Sequence, residues 1–170
     1  MRRFSLAATG GTFDILHAGH FALLSKAFEI SDKVIIGVTS DEFAARMKGK
    51  AKIYHTYEFR IAALKQAIDN RFGNVNYSIS KLHTNFGPAV VFGEVEVLVA
   101  SSETAVRGRE LNEIRRAKGL KPIEIVSVKL LKADDGQPIS STRIRPTGFP
   151  APGPFWVRAR IPSRPSIARR

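Results

Sequence analysis

Thr9-Gly10-Gly11-Thr12-Phe13-Asp14-Ile15-Leu16-His17-Ala18-Gly19-His20 is the stretch whose reading decides the fold. It joins an apolar run, Phe4–Thr9, to a segment from His17 to Ile30 in which Phe21, Leu24, Ala27 and Phe28 follow helical spacing. A buried strand that ends on two glycines and passes into a helix is the opening unit of a parallel α/β sheet. The glycines let the backbone turn tightly and approach a ligand closely. His17 and His20, three residues apart, share one face of the first helical turn. A helix N-terminus already presents free N–H groups and a positive dipole end. Two imidazoles add donors there, Thr12 adds a hydroxyl, and Gly19 leaves room for a phosphate against the helix backbone. The expected feature is a phosphate cradle that needs no covalent nucleophile. The alternatives are a structural turn with incidental histidines, or a zinc site, for which no third ligand stands at suitable spacing.

Outward from that turn the pattern alternates. Lys33–Thr39 is a β-branched run and reads as a second buried strand. Asp41 is expected to cap a short helix through Met47. Tyr57–Phe72 reads as a helix, Val75–Ser80 and Val95–Ala100 as strands, and Glu103–Lys118 as one helix stopped at Gly119. Ile123–Val128 is a fifth strand, and Ile139–Arg145 begins a last helix. The predicted fold is α/β, a Rossmann-like, doubly wound five-stranded parallel sheet. In such sheets ligands sit at the carboxyl ends of the strands, near a switch in strand order. That places Thr9–His20 at the expected site. No internal repeat is present.

The chain has 170 residues, enough for one domain with a real core, and its 44% hydrophobic and 25% charged content is that of a soluble globular protein. No apolar stretch reaches the roughly 20 residues of a membrane span, and the N-terminal apolar run is too short for a secretory signal. The absence of cysteine excludes disulfides and thiolate chemistry. A cytoplasmic protein with no membrane partner is expected. The net charge of +12 attracts polyanions in general and selects no partner. Residues 146–170 hold five arginines, no acid and six of the nine prolines. They are expected to form a disordered basic tail outside a domain spanning 1–145.

Ile139-Ser140-Ser141-Thr142-Arg143-Ile144-Arg145 follows an Asp-Asp-Gly-Gln-Pro turn. Consecutive hydroxyls at a helix start either cap that helix or bind phosphate oxygens. The two arginines favour binding, because guanidinium matches phosphate geometry.

Gly11-Thr12-Phe13-Asp14 with His17-Ala18-Gly19-His20 resembles the signature of the HxGH nucleotidyltransferase superfamily, and Ile-Ser-Ser-Thr at 139–142 resembles its second signature. Within that superfamily, Thr39-Ser-Asp-Glu42, Tyr57-Glu-Phe-Arg60, Ser101-Ser102-Glu103-Thr104, Leu111-Asn112-Glu113-Ile114-Arg115-Arg116 and Gly119-Leu120 resemble the phosphopantetheine adenylyltransferases of archaeal and eukaryotic type. The similarity covers roughly residues 4–145. It implies transfer of AMP from ATP to 4′-phosphopantetheine in coenzyme A biosynthesis, with magnesium carried on the ATP and small molecules, not nucleic acid, as partners. It implies that His20, His17 and Thr12 are catalytic, and that Gly11, Thr12, Phe13, His17 and His20 contact ATP. Ser102, Glu103 and Thr104 would lie near the adenosine, and Asn112 or Glu113 near its ribose or phosphates. Ile139, Ser140, Ser141, Thr142 and Arg143 would hold the β- and γ-phosphates. The acceptor phosphate would meet Thr12 and a lysine of the basic loop, Lys48 or Lys52, with Lys50 between them. The rivals are another HxGH transferase, an FAD synthetase or a glycerol-3-phosphate cytidylyltransferase, and, from another class, a nucleic-acid-binding module using the tail. His83-Thr-Asn-Phe-Gly-Pro88 departs from the family pattern, and proline follows Arg145 where the family continues as a helix.

Overall fold

A computed structural model of the chain describes residues 2–49, 53–87, 89 and 92–129. The predicted Ile139–Arg145 helix and the 146–170 tail lie outside the described residues. The elements run β1 (Phe4–Gly11), α1 (Ala18–Ile30), β2 (Ser31–Thr39), α2 (Asp41–Lys48), α3 (Tyr57–Phe72), β3 (Tyr77–Leu82), β4 (Val97–Ser101), α4 (Ser102–Ala105), α5 (Gly108–Ala117) and β5 (Glu124–Val128). The strands form a five-stranded sheet in the order β3-β2-β1-β4-β5, and every pairing is parallel.

Side chains alternate across a strand, so each central strand serves two cores. Ala7, Val34, Ile36, Val38, Val97 and Val99 face Leu24, Ala27 and Phe28 of α1 and Leu64 and Ile68 of α3. Ala8, Ile35 and Leu98 face the other way, toward Ala89, Val95 and Leu111 of α5. Burial on both faces is why β2 reads as an unbroken apolar run. Leu24 is fully buried, and cutting it to alanine would cost about 2–5 kcal/mol.

Several boundaries differ from expectation, and three of the differences have a clear local reason. Ser40, not Asp41, is the N-cap of α2, its hydroxyl accepting from the Phe43 N–H at 3.1 Å. Asp41 is released to a role described below. The expected Glu103–Lys118 helix is two helices. Ser101 caps α4, and the chain then tightens, the Arg107 N–H bonding the Thr104 carbonyl three residues back. It restarts at Gly108, where a Cβ would stand 2.6 Å from Ile125 of β5. β3 begins two residues later than predicted and extends to Leu82, because its register against Val34–Thr39 of β2 carries it past the apolar stretch. Among the described residues no helix is long and apolar enough to cross a membrane.

Candidate active site

β1, β2 and β3 proceed to one side of the sheet and β4 and β5 to the other, so strand order switches between β1 and β4. A cleft of about 300 Å³ opens over the carboxyl ends there, where the topology of open α/β sheets puts ligands. Its floor lacks side chains for a definite reason. Gly10 and Gly37 pair directly across β1 and β2. A Cβ on Gly10 would stand 3.0 Å from the Gly37 carbonyl, and one on Gly37 would stand 2.8–2.9 Å from the Leu82 side chain. One wall is apolar, with Phe43 and Met47 of α2 and Phe86. The opposite wall is polar, with Ser101, Glu103, Thr104 and Arg107. The Thr9 hydroxyl, buried beside this floor, has no hydrogen-bond partner among the described residues.

The histidine turn is built on a strained residue. Phe13 has φ 53°, a conformation costly for a bulky side chain. Its ring is buried in the core and lies 4.8 Å from the ring of His20. His17 is the N-cap of α1, with extended backbone, rather than part of its first turn. Its Nδ1 accepts from the Gly19 N–H at 3.1 Å, which leaves the proton of a neutral ring on Nε2. The two imidazoles stack with centroids 3.8 Å apart. A Cβ on Gly19 would stand 3.0 Å from His17 Cε1 and Nδ1. The space that Gly19 leaves is therefore taken by the His17 ring rather than held open beside the helix.

Two side chains brace this turn, and neither role was read from the sequence. The Asp14 carboxylate is buried and accepts from the backbone N–H groups of Tyr54 and His55 at 3.0–3.3 Å, with His55 Nδ1 3.1 Å away. Arg60, fully buried on α3, donates to the carbonyls of Thr12, Thr39 and His55, to the Thr39 hydroxyl and to Asp41 Oδ1, at 2.7–3.4 Å. Asp41 also accepts from the Tyr57 N–H. Burial pushes the Asp41 carboxyl upward, but the Arg60 and Tyr57 hydrogen bonds and the charges of Arg60 and Lys81 outweigh it and hold the group below its ordinary value. The available signals were the acid in Gly11–Asp14 and the arginine in Tyr57–Arg60, each at a fixed place in a motif but without a visible partner.

The other predicted residues separate. Gly11, Glu103 and Thr104 line the cleft. Thr12 gives its carbonyl to Arg60, and Phe13 commits its ring to the core. Ser102 opens α4 and is exposed, as is Glu113 on α5. Asn112 bonds both the N–H and the carbonyl of Ile123, at 2.8 and 3.0 Å, so its amide pins the entry to β5. Arg115, on α5, is fully buried. Lys48 is the last residue of α2. Lys50, Lys52, Ile139, Ser140, Ser141, Thr142 and Arg143 lie outside the described residues. Among the described residues no three His, Cys, Asp or Glu side chains converge as a metal site.

Residues 8–147 match the family model of cytidylyltransferase-like proteins. A phosphopantetheine adenylyltransferase of Methanothermobacter thermautotrophicus is 41% identical over 144 residues, covering 85% of each chain. One from Thermococcus kodakarensis is 42% identical over 144 residues, covering 85% of this chain and 86% of that one. Among solved structures, a protein of unknown function from Archaeoglobus fulgidus superposes with a TM-score of 0.64 at 30% identity, over 75% of this chain and 89% of that one. The chain thus belongs to the cytidylyltransferase-like family and, within it, to the phosphopantetheine adenylyltransferases.

Proposed function

We propose that this chain transfers AMP from ATP to 4′-phosphopantetheine, giving dephospho-coenzyme A and pyrophosphate. The observation that carries the reading is the stacked histidine pair at the start of α1, on the turn that follows Gly11, itself a lining residue of the cleft at the strand-order switch. The identity to enzymes of that name over most of both chains supports the substrate. In the reaction an oxygen of the acceptor phosphate attacks the α-phosphorus. The bond from the α-phosphorus to the bridging oxygen breaks, and pyrophosphate leaves with the electron pair.

Such a transfer needs positioning and charge stabilisation rather than a covalent intermediate on the protein. His20 would meet the charge that develops on the α-phosphate. His17 would donate through Nε2, since its Nδ1 is taken by Gly19. Thr12 would orient the acceptor phosphate, with Lys48 or Lys52 as its counter-charge. Glu103 and Thr104, on the polar wall of the cleft, would contact the adenosine. Ser140 to Arg143 would grip the departing pyrophosphate. Magnesium enters as part of the ATP substrate, which suits a cation that keeps several waters and binds through substrate phosphates. The cytoplasm, which supplies ATP, is the location this reading proposes.

A pyrophosphate-release panel tests the reading, pairing ATP or CTP with 4′-phosphopantetheine, FMN and glycerol 3-phosphate. Turnover of ATP with phosphopantetheine well above the other pairs is expected. Preference for FMN, or for CTP with glycerol 3-phosphate, would overturn the substrate and leave the family unchanged.

A further inference from the structure

The strained turn raises a question of support. A residue such as Phe13 held at φ 53° costs on the order of 1–3 kcal/mol and persists only where its surroundings over-determine it. Here it is held on both sides. Asp14, after it, is pinned by the Tyr54 and His55 N–H groups. Thr12, before it, is pinned through its carbonyl by Arg60 Nη1 at 2.7 Å.

We propose that Arg60 is a positioning residue for the transfer reaction: it holds the Thr12–Asp14 turn in its strained shape and, through the Phe13 ring, sets the His17–His20 pair against the triphosphate. The proposal rests on the reading of those histidines as the groups that meet the phosphates. Arg60 has no exposed surface, so it acts on the reaction only through what it holds. A guanidinium has five N–H donors in a rigid fork. All five are used: Nε on the His55 carbonyl, Nη1 on the Thr12 carbonyl and Thr39 hydroxyl, Nη2 on the Thr39 carbonyl and Asp41. These acceptors belong to the histidine turn, the end of β2, the first residue of α2 and the chain leading into α3. One side chain therefore fixes the turn to three other parts of the site. Its charge is met by Asp41 at 2.7 Å. A lysine would keep the charge but has three donors on a single atom and cannot span the same acceptors.

The test is a double-mutant cycle in the full chain: wild type, R60K, H20A and the pair. Single-turnover rates, calorimetric ATP affinity and the imidazole C2–H NMR resonances are measured for each. R60K is expected to lower turnover about 10²-fold, as an ångström-scale misplacement does, with ATP affinity changed less than about threefold. On the H20A background the same substitution should cost less than about threefold more, because coupled sites are non-additive. The His17 and His20 resonances should move in R60K. Equal losses on both backgrounds would make Arg60 a strut of the fold alone and overturn the proposal, as would near-normal turnover in folded R60K. Should R60K fail to fold, D14N loosens the other end of the same turn and takes its place in the cycle, judged by the same outcomes. If the wild type turns over no phosphopantetheine, the functional reading fails separately. The resonances then decide, and unmoved histidine signals in R60K overturn the proposal.

Discussion

Replacing Arg115 with methionine tests how much a buried cation caged by main-chain carbonyls contributes to stability. Arg115 lies on α5 and is fully buried. Its Nε donates to the Lys121 carbonyl at 2.8 Å, Nη1 to the Ala89 and Phe92 carbonyls, and Nη2 to those of Gly93 and Val95 at 3.3–3.4 Å. Among the described residues no carboxylate pairs with it. Burial lowers its pKa from the ordinary arginine value, yet the guanidinium stays protonated in proteins. Five main-chain carbonyl dipoles balance the charge.

Methionine replaces the aliphatic stem as far as the Nε position, stops short of the guanidinium and removes every donor. Phe92 is 44% exposed, and its carbonyl, like those of Gly93 and Lys121, lies in an exposed stretch where water can replace the donor. Ala89 and Val95 are 2% and 1% exposed, so their carbonyls stay dry. A buried unsatisfied polar group costs about 1–3 kcal/mol, so two of them give roughly 2–6 kcal/mol, and we expect about 4. For a chain of this size that lowers Tm by on the order of 10 °C. Urea unfolding followed by circular dichroism measures it as a fall in midpoint at unchanged slope. Arg116→Met, one residue along on the exposed side, is the control and should stay within about 0.5 kcal/mol. A loss below about 1 kcal/mol in Arg115→Met would refute the reasoning, since buried carbonyls would then have found other donors.

Three further outcomes follow from the site. His20→Ala should cut turnover about 10²–10³-fold while weakening ATP binding much less, measured by steady-state kinetics and calorimetry. Asp41, held below its ordinary value of 3.8 in the fold, contributes stability that is present above that value and lost as pH falls through the depressed folded value. Asp41→Asn should therefore flatten the acid limb of stability against pH, read by urea midpoints at successive pH values. Gly37→Ala puts a Cβ 2.8–2.9 Å from the buried Leu82 side chain. It should cost about 1–3 kcal/mol by overpacking and raise KM as the cleft floor fills, which unfolding and kinetics check separately.

The legible part of this molecule is the part whose signal is local. β2 could be read because burial on both faces demands an unbroken β-branched run. The histidine pair could be read because three residues of spacing bring two side chains together on any helix start. Arginines defeat that kind of reading. Arg60, Arg115 and Arg116 look alike in a sequence, but the first two are caged and the third is exposed. What cages Arg115 is mostly main chain from 89 to 95, which carries no side-chain signature. What cages Arg60 is spread over residues 12 to 55. Asn112 fails for the same reason, its amide being spent on the Ile123 backbone.

The glycines show a subtler limit. Gly10 and Gly11 were read as freedom for the backbone to turn and Gly19 as room for a phosphate, yet none of them has a positive φ. Gly10 and Gly19 are needed for the atom they lack: Gly10 so that β1 can lie against the Gly37 carbonyl, Gly19 so that the His17 ring can fold over the helix start. The left-handed residue in the motif is Phe13, which a sequence gives no reason to suspect. Strain at that position, rather than a flexible turn, sets the angle at which the chain enters α1. A motif that looked like a permissive loop is thus a rigid one, braced at Thr12 by Arg60 and at Asp14 by the segment leading into α3. Rigidity is what a site must have if it accelerates a transfer by preorganised contacts, since contacts that must form during the reaction give back their stabilisation as reorganisation.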